Sequence, residues 1–396
     1  MSGLRLLWMA TADARGHLMR AQLLWHELTS AGVELDVWTT SESGVRFLAA
    51  CGVPARLLSP HYRMVFDGRQ NLLPLATDLL AARYLIDPRR LSRDLDTLAA
   101  HAARADLVIN DSFHPALIVA PVLARCRSMR VVHVYAHELR AAVQSHYFER
   151  LPRPVARAFE SSLAGLIDRA HGRIQHSFAF STAERVHDVW QLPAVMARPT
   201  DSQAEVRARL GVSREARIAA VYLNPHFTAI QVAEEIETAC KRLGLHLYGV
   251  AEGYAQRPGW RAHDPALSSA IAAASVYLSS PGMGALNQVR TLGVPFLALT
   301  TAQPEQRRNV ALLSRLGAPT VAVPLAGALL TERLIEGLRS LIERSARPAQ
   351  AATLDDRSPE RIESAYRAWT STLYQLAGKV APRFTSPNPA AAERRA

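Results

Sequence analysis

Two short stretches of the chain hold residue types and spacings that suit chemistry. In the first, Ser279-Ser280-Pro281-Gly282-Met283-Gly284-Ala285 sets two glycines where an apolar strand runs out and a helix begins. Without Cβ atoms at Gly282 and Gly284, the main-chain N–H groups from Gly282 through Met283 to Ala285 can approach an anion closely. A helix start adds unpaired donors and a partial positive charge, so a diphosphate suits the spot. The plainer reading is a tight strand-to-helix turn, and a lone G-x-G does not choose between the two. In the second stretch, after the next strand, Gln303, Glu305, Gln306 and Asn309 gather within "TTAQPEQRRN". Their donors and acceptors suit the hydroxyls of a sugar, whereas the plainer reading is a solvated loop with Glu305 favouring a helix N-terminus. The two loops lie one strand apart, each at a strand's carboxyl end, where ligands of open α/β sheets bind.

The elements that must position these loops alternate along both halves of the chain. "LRLLWMAT" (4–11), "VELDVWTT" (33–40), "DLVIND" (106–111) and "RVVHVYAH" (130–137) read as buried strands, separated by helical patterns at 17–32, 43–52 and 115–126. A second alternation has strands at 217–225, 245–253, 275–280, 295–300 and 319–324, with helices at 228–243, 265–274, 284–292 and 305–316. Strands separated by helices of this length predict βαβ units and parallel sheets. The expected fold is α/β: two doubly wound Rossmann-like domains facing an interdomain cleft, then a C-terminal helix and a disordered tail. The boundaries read as 1–195, a linker at 196–205, 206–345, a terminal helix at 356–380 packing back, and a tail at 381–396. Residues 60–100 read as irregular, then helical. Between Gln144 and Asp168 aromatics mix with Arg and Pro, as in a helical insertion or, alternatively, part of an acceptor groove or a membrane-surface patch.

The run "GMGALNQVRTLGVPFLALTTAQPEQRRNVALLSRLGA" (282–318) resembles the nucleotide-sugar signature of GT-B glycosyltransferases. It is similar to the lipid-linked peptidoglycan N-acetylglucosaminyltransferase group and to the UDP-glucosyl and UDP-glucuronosyl transferases. The resemblance is detailed there and architectural elsewhere. It implies that Gly282, Met283, Gly284 and Ala285 face the diphosphate of a nucleoside-diphosphate sugar. Glu305 and Gln306 would bind donor-sugar hydroxyls and Asn309 would brace their loop, with Arg307 and Arg308 either near the diphosphate or solvated. Gln288 stands where the family carries a glutamate on the ribose hydroxyls, a departure that substitutes a weaker neutral amide. Where relatives often have Gly-Ser at a phosphate, this chain has "NPHFT", leaving Thr228 and the helix start as contacts. Near the nucleobase the resemblance puts Trp260 or Arg261, with Trp260 alternatively packed in the interior.

On the acceptor side, "RGHLMR" resembles a G-H-x-x-R pattern carried by Gly16, His17 and Arg20. Inverting transfer needs a base for the acceptor's proton, and histidine suits that task. His17 is the candidate, oriented or replaced by Asp13 or Asp111, with His137 lining the acceptor side. The plainer readings make His17 a helix-start residue bonding backbone and Asp111 a cap for the helix near His114.

Composition narrows the partners. The net charge of +11 is almost all arginine, lysine occurring only at Lys241 and Lys379, which reads as bacterial genome composition. No basic stripe with interleaved aromatics appears, so a nucleic-acid partner is not expected. Three scattered cysteines without C-x-x-C predict neither disulfides nor zinc and fit a reducing cytoplasm. His133 and His137 are four apart in a strand pattern, where they share a face only loosely, and Glu138 does not add a ligand at matched spacing. No metal site and no cofactor are therefore expected beyond the sugar nucleotide as co-substrate. No apolar run reaches membrane-span length, which predicts a cytoplasmic protein and leaves open peripheral contact with the inner membrane face. The expected function is inverting, metal-independent hexosyl transfer to the hydroxyl of a small or lipid-linked acceptor. The alternatives are a nucleotide-sugar 2-epimerase or hydrolase of the same fold, and a non-catalytic nucleotide-sugar-binding protein.

Overall fold

The computed structural model describes residues 3–12, 15–59, 65–68, 71, 73, 76, 77, 79, 80, 83, 87–111, 113–136, 153–345 and 358–381. Asp13, His137, most of the insertion's first half and nearly all of the expected tail lie outside them.

The first sheet contains β1 (Arg5–Ala10), β2 (Glu34–Thr39), β3 (Ala55–Leu57), β4 (Leu107–Asp111), β5 (Val131–Ala136), β6 (Gly172–Ser177), β7 (Glu184–Val186) and β8 (Val189–Pro193). Their order is β3-β2-β1-β4-β5-β6-β8-β7, parallel except for the antiparallel β7–β8 edge. Connections run through α1 (Arg15–Ser30), α2 (Glu42–Ala50), α3 (Pro88–Ala102), α4 (Pro115–Val119) and α5 (Arg153–Ile167). All of β4 and all but the first residue of β1 are buried, as expected for parallel strands covered on both faces. The sequence pattern predicts one helix over 115–126, but α4 stops at Val119 and gives way to two short 3₁₀ turns. Pro121 is the cause, since its ring removes an N–H that a continuing helix needs.

The second sheet has the order β11-β10-β9-β12-β13-β14. Its strands are β9 (Arg217–Tyr222), β10 (Leu245–Val250), β11 (Trp260–Arg261), β12 (Val276–Ser279), β13 (Phe296–Thr300) and β14 (Thr320–Pro324), all parallel. Around it lie α6 (Gln203–Leu210), α7 (Ile230–Arg242), α8 (Leu267–Ala272), α9 (Met283–Leu292), α10 (Pro304–Arg315) and α11 (Leu330–Ser345). α6 starts inside the segment expected as a linker, on a capping box in which Ser202 and Glu205 each satisfy the other's backbone N–H.

The last helix, α12 (Ser358–Leu376), returns to the first sheet. Trp369 is fully buried there, donates through Nε1 to the Pro193 carbonyl at 2.9 Å and packs 6.2 Å from the Trp8 ring. Burying one large apolar side chain contributes about 1.5–3 kcal/mol, so this docking joins the chain's end firmly to its first domain. Arg198 adds ion pairs to Glu27 of α1 and Glu363 of α12.

Strand order reverses between β1 and β4 in the first sheet and between β9 and β12 in the second. These are the topological switch points at which such sheets open a crevice beyond their carboxyl ends. Contacts join the two ends across the cleft. Arg15 pairs with Glu252 at 3.2 Å, and the Gly68 carbonyl accepts from the N–H groups of Thr228 and Ala229, both at 2.9 Å.

Candidate active site

His17 and Asp111 meet at the first switch point. His17 lies in the first turn of α1, directly after β1, and Asp111 ends β4 beside it. His17 Nδ1 is 3.0 Å from Asp111 Oδ1. Arg20 follows one helical turn later on the same face, as an i,i+3 spacing requires. Its Nε donates to Asp111 Oδ2 at 2.9 Å and its Nη2 to Oδ1, a two-bond fork on the carboxylate. Trp8 Nε1 adds a third donor, 3.2 Å from Oδ2. Behind Arg20, Nη1 reaches His176 Nε2 at 2.6 Å.

Burial sets the character of this group. Asp111 is fully enclosed, Arg20 is 8% exposed, and His17 keeps 24% of its side chain open. Desolvation alone would push the Asp111 carboxyl up, but the Arg20 guanidinium and the His17 bond outweigh it and hold the group well below the usual carboxylate range. Asp111 is therefore ionised and can only accept. The proton on His17 is accordingly assigned to Nδ1, which leaves the Nε2 lone pair free for a ligand. Asp111 is not the cap of the following helix: the His114 ring accepts from Ala116 N, and Asn110 Oδ1 accepts from His114 N.

The second switch point presents main chain. Gly282 is the N-cap of α9 with φ −82° and ψ 161°, and no side chain caps the helix. The first-turn N–H groups, from Met283 through Gly284 to Ala285, have no intrahelical acceptor by geometry. Among the described residues, no atom lies within 4 Å of a Cβ added at Gly282 or Gly284, so the turn carries open space beside it. Asn309 Nδ2 donates to the Pro281 carbonyl at 2.9 Å and joins α10 to this turn.

The remaining sequence-predicted residues divide. Gln306 is buried, and its Oε1 accepts from Thr301 N at 2.7 Å, so its carbonyl oxygen serves the loop itself; Glu305 is half-buried in the first turn of α10. Gln288 is also buried, accepting from Tyr277 OH and donating to Ser268 Oγ, each at 3.3 Å, inside its own domain. The exposed Thr228 gives its backbone N–H to Gly68. The Arg261 guanidinium lies 4.3 Å from the centre of the Tyr248 ring and reaches Asp264 at 3.4 Å. Trp260 takes its packed alternative: it is 6% exposed and donates to Glu237 at 2.8 Å, because the bare Gly249 leaves room for its ring. Arg307 and Arg308 are solvent-facing on α10, and Gly16 is exposed at the start of α1. His133 is a core residue bonded to Asn110 Nδ2, its imidazole pushed down to about 3, chiefly by burial. Sequence reasoning missed Trp8 and His176 as parts of the first cluster. Their types were visible, but their partners lie more than a hundred residues away in the chain.

Two doubly wound sheets with opposed switch points and a last helix returning to the first domain define a GT-B fold. No family model matches the sequence, and no curated protein matches it. Solved structures do match. Spinosyn forosaminyltransferase SpnP is 19% identical with a TM-score of 0.61, over 96% of this chain and 100% of that one. Arabidopsis thaliana UGT89C1 complexed with quercetin is 19% identical at 0.62, over 95% and 100%. Streptomyces sp. SF2575 glycosyltransferase SsfS6 complexed with thymidine diphosphate is 18% identical at 0.59, over 92% and 98%. At these identities the likeness is one of fold. Among the described residues no helix is long and apolar enough to cross a membrane.

Proposed function

We propose that the chain is an inverting glycosyltransferase that moves a hexosyl group from a nucleoside-diphosphate sugar to a hydroxyl acceptor. The observation that carries this reading is an imidazole oriented by a buried carboxylate at one switch point, across a cleft from an uncapped, glycine-bearing helix start at the other. His17 Nε2 takes the acceptor's proton as the acceptor oxygen attacks the anomeric carbon. The bond from that carbon to the diphosphate oxygen breaks, and displacement from the opposite face inverts the centre. Asp111 stabilises the imidazolium that forms. Negative charge gathering on the leaving diphosphate meets the amides of α9, a preorganised stabilisation that needs no reorganisation at the moment of reaction. Glu305, Gln306 and Thr228 line the donor side of this arrangement, and Gly16 and Arg20 lie on the acceptor side.

The ligands of two structural neighbours support the substrate classes. SsfS6 holds thymidine diphosphate and UGT89C1 holds quercetin, so we assign this chain a UDP- or dTDP-sugar donor and a small hydroxylated acceptor. Free thiols at Cys51, Cys126 and Cys240 support a cytoplasmic setting. A lipid-linked acceptor, met at the inner membrane face, is a second arm of the same assay. The test is His17→Ala with a panel of UDP- and dTDP-sugars, with and without acceptors. General-base loss lowers acceptor-dependent diphosphate release by about 10²–10⁴-fold, while nucleotide affinity stays within about twofold because the cradle is untouched. Activity surviving within a few-fold removes His17 as the base.

A further inference from the structure

Arg20 carries more of this site than an acceptor-side contact would. Its guanidinium is the only fully charged cation among the described residues that bonds Asp111, and its Nη2 stands 3.0 Å from His17 Nδ1, the two sharing Asp111 Oδ1 as their acceptor and not bonding each other. A side chain that merely filled space here would not need two parallel bonds to the carboxylate and a third to a buried histidine. Arginine offers donors only, so His176 meets it with the Nε2 lone pair and fixes the far side of the fork. We propose that Arg20 is a positioning residue of the His17–Asp111 pair, holding the carboxylate in line with Nδ1 and balancing its charge so that the imidazole stays ready to accept a proton. The inference rests on the glycosyltransferase reading only for the reaction; the charge balance is a property of the folded chain.

The physical argument is a count of charges in an enclosed space. With Arg20 present, Asp111 and Arg20 sum to zero, and a proton added to His17 makes a net cation beside a fixed one. With Arg20 neutralised, the lone carboxylate attracts that proton, and His17–Asp111 becomes a closed ion pair. The groups facing the His17–Asp111 pair among the described residues are Arg20 on α1, Trp8 on β1 and, behind Arg20, His176 on β6. Arg15, two residues from His17, is turned to Glu252 across the cleft. None of these replaces the guanidinium.

The experiment compares Arg20→Gln and Arg20→Lys in the full chain. His17 is followed by NMR of the ¹⁵N-labelled imidazole without donor or acceptor, and the pH dependence of kcat/KM is measured in parallel. Removing the charge moves the midpoint of the His17 titration, and with it the acid limb of kcat/KM, up by about one unit or more. Arg20→Lys keeps the charge and holds the midpoint within about 0.3 units, while kcat falls about tenfold because the fork is lost. A folded Arg20→Gln with an unmoved midpoint overturns the proposal. Should Arg20→Gln fail to fold, Arg20→Lys alone decides: a midpoint raised by a full unit despite the retained charge also overturns it. If the titration shifts as expected and no transfer occurs with any donor, the charge balance stands and the glycosyltransferase reading falls.

Discussion

At the first switch point four side chains, Trp8, His17, Arg20 and His176, converge directly or through Arg20 on a carboxylate that no solvent touches. At the second, among the described residues, no side chain caps the helix and no atom lies where a Cβ at Gly282 or Gly284 would stand. One end of the cleft satisfies its buried carboxylate within the protein, and the other leaves first-turn main-chain N–H groups without a capping side chain among the described residues. The contrast matters because the two kinds of site fail differently. A satisfied buried network loses stability when one member is removed, since the others are left uncompensated. Bare main chain loses binding and little else.

Asp111→Asn breaks the comparison at its strongest point. The amide keeps the shape but strands the Arg20 guanidinium, at 8% exposure, without its counter-charge. Removing one partner of a buried pair costs about 3–5 kcal/mol, so the urea midpoint should fall substantially along with the rate. The folded state holds Asp111 well below the ordinary carboxylate value. Its contribution is therefore present above that ordinary value and is lost as pH falls through the folded one. The gap between variant and parent stays level from neutral pH to about 5 and narrows only in stronger acid. Equal stability of the two chains at neutral pH would show that the network is not a unit.

Gly282→Val probes the other end and predicts the opposite pattern. The backbone at Gly282 lies in the extended region that valine adopts readily, and the new Cβ meets no atom of the described residues within 4 Å. Stability should stay within about 0.5 kcal/mol, as for surface substitutions generally. Nucleotide affinity should fall by about tenfold or more, because the side chain fills the space in front of the α9 amides. Isothermal titration with UDP and dTDP reads this directly, and unchanged affinity would remove the cradle.

The same contrast explains what was legible in the sequence. A main-chain site announces itself locally, because only glycine provides it, and Gly282 and Gly284 stand together at a strand end. A side-chain network does not. His17 and Arg20 share a helical turn, but Asp111, His176 and Trp8 are brought in by the sheet order β1-β4-β5-β6. The fold was readable wherever strands were uniformly apolar, as in "RIAAVY" and "PFLALT". It was missed at β6, β7 and β8, where "GRIQHS" and "VWQLP" interleave polar residues because the strands lie toward the sheet's edge. The Ser202…Glu205 capping box marks the start of α6 in the sequence, although the Pro and polar residues before it read as a linker. Gln288 shows that a residue carried over from a family pattern arrives without its surroundings. Its position matches, and in the fold its Oε1 accepts from Tyr277 OH and its Nε2 donates to Ser268 Oγ, partners that the pattern does not announce.

Asn309→Ala sharpens the comparison from between the two cases, since this residue is a side chain that serves the main-chain site. Its Nδ2 holds the Pro281 carbonyl, one residue before the cradle, while its buried Oδ1 finds no partner among the described residues. Losing a typical hydrogen bond costs about 1 kcal/mol, but removing an unsatisfied buried oxygen returns part of that. The net loss should be about 0.5–1 kcal/mol, the smallest stability change that equilibrium denaturation resolves well. Nucleotide affinity should fall by about two- to threefold, as the turn preceding α9 gains freedom that binding must remove. If affinity instead fell as far as in Gly282→Val, the cradle would be held open by Asn309 rather than by the helix start, and the second switch point would be a side-chain site like the first.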